Sequence, residues 1–93
     1  MGLDTVEIVL GVEARFGIEI SDAEASSCRT VGQLNQCIAR LVAERATASA
    51  GHPIAPEPDL TWPLLVSIVV EIGRVPAERV RPEAEWGRDL GMG

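Results

Sequence analysis

Two tetrads nine positions apart constrain this chain most: Ser21-Asp22-Ala23-Glu24 and Thr30-Val31-Gly32-Gln33. In each, a hydroxyl residue stands three places before a Glu or Gln. That spacing lets the hydroxyl accept a hydrogen bond from the third helical amide while the longer side chain reaches back to the cap's own N–H. Two helix starts this close leave room for one short helix between them, ending near Ser27. Behind the second start, Val31, Leu34, Ile38 and Leu41 share one face of a helix that reaches about Glu44.

Upstream, Leu3, Val6, Val9, Leu10 and Phe16 recur at helical spacing, with Asp4, Glu7 and Glu13 off the stripe. Acids at Asp4 and Glu7 suit the positive end of a helix dipole. Gly17 reads as the residue that ends this helix, and Ile18-Glu19-Ile20 as a short extended link with both isoleucines turned inward. From Ala46 to Asp59 the residues become small, with Pro53, Pro56 and Pro58. This stretch reads as a linker, extended in its proline-rich half, with His52 exposed.

Thr61-Trp62-Pro63 reads as the start of the last main helix, with Thr61 as N-cap and Pro63 in the first turn, where its missing N–H costs nothing. Leu64 to Ile72 is apolar on nearly every side except Ser67 and Glu71, the pattern of a central packed helix. Its β-branched run also suits a buried strand; the capping, the proline and the lack of a strand partner favour helix. Gly73 ends it. Val75, Val80, Trp86 and Leu90 are then hydrophobic points in a long polar loop, expected to pin it across the bundle. Single helical turns are expected at Pro76-Ala77-Glu78 and Pro82-Glu83-Ala84.

Ninety-three residues make one small domain. Phe16, Trp62 and Trp86 are its only aromatic residues, so the core must be aliphatic. All eight basic residues are Arg, which removes lysine Schiff-base and P-loop chemistry. The net charge is −6, and residues 1–25 hold Asp4, Glu7, Glu13, Glu19, Asp22 and Glu24 against Arg15 alone. Nucleic acid is a poor partner for such a chain; a basic protein surface is the natural one. The same acids also serve simple solubility.

Cys28 and Cys37 belong to no CxxC motif and His52 is the single histidine, so no metal site is expected. Two reduced, partly buried thiols are the default, with a disulfide a matter of geometry. No secretory signal is visible and the apolar run 62–72 is too short to span a bilayer, so a cytoplasmic protein without membrane contact is expected. No catalytic residues are assigned: the lone His sits in the linker, and Asp4/Glu7 and Glu83/Glu85 read as solvated charge.

In order, the elements are helix, short helix, helix, linker, helix, long loop. Leu3-Asp4-Thr5-Val6-Glu7 with Phe16-Gly17-Ile18-Glu19-Ile20 resembles the second helix, and its exit, of the acyl carrier proteins. Thr30-Val31-Gly32 resembles the start of their fourth helix. Glu71 to Val80, Pro82-Glu83-Ala84 and Asp89-Leu90-Gly91 resemble the end of their first helix and the long loop after it. The resemblance implies an all-α fold: a small up-down bundle of three main helices and one short one, in permuted order. Residues 1–44 correspond to carrier helices two to four, 45–60 to a linker, and 61–93 to helix one and its loop. It places the end of the chain beside its beginning, with the Gly93 carboxylate near the N-terminus of the first helix.

Carriers hold phosphopantetheine on a serine of an Asp-Ser-Leu motif. Leu3 matches that Leu, but Gly2 stands where the serine belongs, so no cofactor is expected to be attached. Carriers dock to basic patches of partner enzymes through acids of the second helix; the matching positions are Asp4, Glu7 and Glu13, with Leu3, Val6 and Leu10 beside them. The resemblance therefore implies a non-enzymatic, acidic interaction module of acyl or polyketide metabolism. Two alternatives stay open: a working carrier modified at an unusual site or completed in an oligomer, and an apolar-ligand-binding bundle. The linker allows either a monomer or a helix-swapped dimer.

Overall fold

The computed structural model describes residues 3–92, with side chains from Thr5 onward. Expectations resting on Gly2, on the Gly93 carboxylate and on the side chains of Leu3 and Asp4 lie outside the described residues. Four helices follow one another: α1 (Leu3–Phe16), α2 (Asp22–Ser27), α3 (Val31–Ala50) and α4 (Pro58–Gly73), with a single 3₁₀ turn at Ala77–Arg79. Among the described residues the only β pairing is an isolated bridge between Thr30 and Glu85. The fold is a small all-α bundle, as the sequence pattern implies.

Both capping tetrads work as helix starts. The Ser21 hydroxyl accepts the Glu24 N–H and donates to the Glu24 carboxylate. At α3 the box is reciprocal: Thr30 Oγ1 takes the Gln33 N–H at 3.1 Å, and Gln33 Oε1 takes the Thr30 N–H at 3.2 Å and the Arg29 N–H at 2.6 Å. The remaining free amides of that end go to the distant loop, Val31 N–H to the Ala84 carbonyl and Gly32 N–H to the Pro82 carbonyl. Gly32 permits this approach, because a Cβ there would sit 2.7 Å from the Pro82 oxygen. Trp86 completes the attachment, its indole N–H donating to the Cys28 carbonyl at 3.1 Å. The loop is thus fastened to the α2–α3 turn by backbone bonds that no local pattern encodes.

Two boundaries differ from the sequence reading. Helix α3 runs to Ala50 rather than Glu44: Ala46, Ala48 and Ala50 favour helix, Gly51 ends it at φ 76°, and Thr47 Oγ1 takes the Ile54 N–H. Helix α4 begins at Pro58, not after Thr61, because Pro58 occupies the first turn, where its missing N–H is harmless. Thr61 is therefore no N-cap but a buried helical residue, 2.6 Å from Asn35 Oδ1 and 3.1 Å from the Pro58 carbonyl. Pro63 consequently lies inside the helix. The non-helical connection shrinks to residues 51–57, with His52 exposed as expected.

Helix α4 packs against both α1 and α3, the central position its apolar sequence called for. Leu65, Ile68 and Val69 are fully buried against Ile8 and Val12 of α1 and Val31, Leu34 and Ile38 of α3 in one cluster. Ile18 and Ile20 point inward, and Val80, Trp86 and Leu90 pin the loop as expected. The core face of α1 differs from the expected stripe. Thr5, Ile8 and Val12 face inward, whereas Val6 and Leu10 are 43% and 58% exposed. At about 100° per residue, Val6 and Leu10 fall well over a quarter turn from Ile8 and Val12, so a helix apolar on two faces offered either as the core.

A candidate docking face on helix α1

The outward face of α1 combines two exposed aliphatic side chains, Val6 and Leu10, with the exposed carboxylate of Glu7. Leu3 and Asp4 belong to the first turn of the same helix. Glu13 is different. It is half-buried, and its carboxylate accepts the Ile20 N–H at 2.8 Å. Its own carbonyl also takes the Gly17 and Ile18 amides. Glu13 therefore fastens the α1–α2 link, a task the sequence reading did not see because the partner is a backbone amide seven residues on. The Arg15–Glu71 pair at 3.3 Å ties the far end of α1 to α4; as an exposed pair it contributes at most about 1 kcal/mol.

Beside this face the tail of the chain returns. Met92 is only 1% exposed, and its methyl occupies the space that a Cβ on Gly73 would need, with Ile8 close by. Thr5, Ala25, Ser26, Cys28, Trp86, Gly87 and Met92 line a concavity of about 220 Å³ between α1, α2 and the tail. Beneath it, Thr5, Ile8, Val9, Ala25, Cys28, Leu34 and Trp86 enclose only about 10 Å³, roughly the space of one water probe. The core is filled by its own side chains. Met92, set between two glycines, carried no periodic signal in the sequence; its burial follows from the loop's attachment.

Charge around α2 is organised by Glu24. Its carboxylate lies 2.5 Å from the Arg40 guanidinium, which in turn pairs with Glu44 at 3.0 Å. The Arg40 hydrogen bond, with help from the Ser21 hydroxyl, holds the Glu24 carboxyl below its usual range. Both cysteines are free and half-buried. Burial, then the neighbouring Cys37, pushes the Cys28 thiol up to about 11; burial and the Glu24 charge raise that of Cys37. Among the described residues no group of His, Cys, Asp and Glu is placed to hold a metal ion, and no helix is long and apolar enough to cross a membrane.

Gly2, which the resemblance aligns with the attachment serine of carriers, has no side-chain oxygen and lies outside the described residues. Elsewhere, Ser21 is engaged as an N-cap and Ser27 donates to the Ala23 carbonyl, while Ser26 is exposed at the rim of the tail concavity.

The fold is a small all-α bundle, and part of the chain is similar to acyl carrier proteins. Over 44 residues the chain is 50% identical to acyl carrier protein 2, chloroplastic, of Arabidopsis thaliana, a stretch covering 47% of this chain and 32% of that protein. It is 46% identical over 43 residues to acyl carrier protein 5, chloroplastic, of the same plant (46% and 31% covered). It is 44% identical over 43 residues to acyl carrier protein 3, chloroplastic, of Cuphea lanceolata (46% and 30% covered). The chain thus aligns with about a third of the length of the curated relatives it matches. No family model matches it and no solved structure matches it.

Proposed function

We propose that this chain is a carrier-like interaction module, not an enzyme, that docks to basic surfaces of acyl-metabolism proteins through Val6, Glu7 and Leu10. Leu3 and Asp4 would extend the same patch. The helix order is that of a carrier rotated, with α4 and the tail in the place of helix one and its loop. The observation that carries the reading is the return of the tail: Met92 packs against Gly73 near Ile8, so the α1 core face is sealed within the chain and the opposite face is left to a partner. The excess of acids over residues 1–25 supports a basic counterpart. Without a serine at position 2, the module occupies carrier-binding proteins rather than delivering a thioester to them.

The test is binding to a purified phosphopantetheinyl transferase, an enzyme class that docks carriers. Glu7→Lys should weaken binding about tenfold, the range of one lost charge pair turned repulsive. Unchanged affinity removes the docking role of α1.

Ser26 supports a second reading, a carrier loaded at an unusual site, because its exposed hydroxyl lies in the concavity shared with Thr5 and Met92. Incubation of the chain with coenzyme A and the same transferase, followed by intact mass, separates the two. An unchanged mass supports the interaction module. A stoichiometric gain that Ser26→Ala abolishes establishes the carrier.

A further inference from the structure

We infer that the connection between α3 and α4 is a second docking site, a preformed proline-type ligand for a protein module whose groove is lined by aromatic side chains and flanked by a basic residue. The segment Pro53-Ile54-Ala55-Pro56-Glu57 is neither helix nor strand. The rings of Pro53 and Pro56 fix φ at about −65°. Ala55 and Glu57, each followed by a proline, are biased to extended backbone. These restraints favour polyproline II, with about three residues per turn, so that residues three apart share an edge.

The surroundings of the segment follow that period. Ile54 and Glu57, on one edge, line a groove together with Ala55, against Ala43 of α3 and Leu60 of α4. Pro53 and Pro56, on the next edge, do not line it and are exposed. The chain therefore turns one edge toward its own body and the proline edge outward.

Both ends of the segment are tied down. Gly51, left-handed at φ 76°, stops α3, and Thr47 Oγ1 accepts the Ile54 N–H at 2.9 Å. The Pro58 carbonyl accepts the Asn35 side-chain amide at 3.0 Å. The freedom that a loose peptide would lose on binding is thus already lost on folding. Among the described residues the Ala55 and Pro56 carbonyls accept no hydrogen bond, which leaves them for the Trp indole or Tyr hydroxyl of an aromatic groove.

Charge selects among such grooves. Glu57 and Asp59 are exposed at the α4 end, and no Arg or Lys lies between Arg45 and Arg74 in the sequence. An acidic proline-binding groove is repelled, whereas one with a basic residue beside its aromatic platform is matched. The contact is small, so binding is weak and transient. No residue of α1 belongs to the segment or lines its groove, so this docking is independent of Val6, Glu7 and Leu10.

The isotope-labelled full-length chain is titrated with purified WW domains, small proline-binding modules, chosen for a Lys or Arg beside the aromatic groove. At least one should shift the Ile54, Ala55 and Glu57 amides saturably while the α1 amides stay unmoved. Replacing both prolines, Pro53→Ala with Pro56→Ala, should weaken that binding about tenfold and leave the helical circular dichroism unchanged; Glu57→Lys should weaken it as well. No shift with any domain, shifts centred elsewhere, or variants that bind as the parent does overturn the proposal. Concentration-dependent shifts of the segment in the chain alone also overturn it, because they make a second copy the occupant.

Discussion

Met92 stands where a side chain on Gly73 would have to be. The tail methyl fills the space above the last turn of α4, next to Ile8, so the end of the described chain closes the core that α1 opens. A glycine at the end of α4 reads in the sequence as a helix stop. In the structure the left-handed stop falls one residue later, on Arg74 at φ 55°, and Gly73 is there for Met92.

Gly73→Ala should therefore destabilise the protein by about 1–3 kcal/mol, the range for overpacking a filled site, even though alanine ordinarily favours helix. Met92→Ala should cost about 2–5 kcal/mol as a buried large-to-small change. Urea unfolding measures both. A Gly73→Ala protein as stable as the parent would show that the tail does not press on α4.

Thr61→Val should cost about 1–3 kcal/mol, because Asn35 would lose its buried hydroxyl partner. Were Thr61 an exposed N-cap, the same change would expose no buried amide. Thermal unfolding of Thr61→Val beside Asn35→Ala and the double variant measures the coupling, which should be clearly non-additive.

Glu13→Ala should loosen the link that carries Ile18 and Ile20 inward, while Glu13→Gln, which still accepts the Ile20 N–H, should not. Hydrogen exchange at Ile20 reads the difference. Equal protection in both variants would assign Glu13 to the surface after all.

The acid side of the stability profile should depend on Glu24. Its pKa is lowered in the folded chain from an ordinary 4.5, so its contribution is fully present above that pH and is lost as pH falls through the lower, folded value. Asp89, held down chiefly by the Glu85 N–H, acts in the same direction. The melting temperature of the parent should fall more between pH 6 and about pH 3 than that of Glu24→Gln. Parallel profiles would show that the Arg40 contact is not maintained in solution.

How legible this chain is depends on the range of the interaction involved. The starts of α2 and α3 were legible because a capping box is complete within four residues. The extended link, the central place of α4 and the pinning role of Trp86 followed from hydrophobic pattern. The misplaced features each rest on a distant partner or a competing local signal. Thr61 looks like a cap until Asn35, twenty-six residues away, is brought against it. The end of α3 hid in a segment whose prolines suggested linker from its first alanine. On α1, Val6/Leu10 and Ile8/Val12 have the same spacing, and only packing against α4 decides between them. That choice created the candidate docking face: the pair left outside is the pair a partner can cover.

The most direct measurement is amide chemical-shift mapping on the isotope-labelled chain as the phosphopantetheinyl transferase is added. Docking through α1 requires the largest changes at Val6, Glu7 and Leu10, with the connection at residues 51–57 unmoved. Changes centred on any other surface, or none at saturating enzyme, would contradict it.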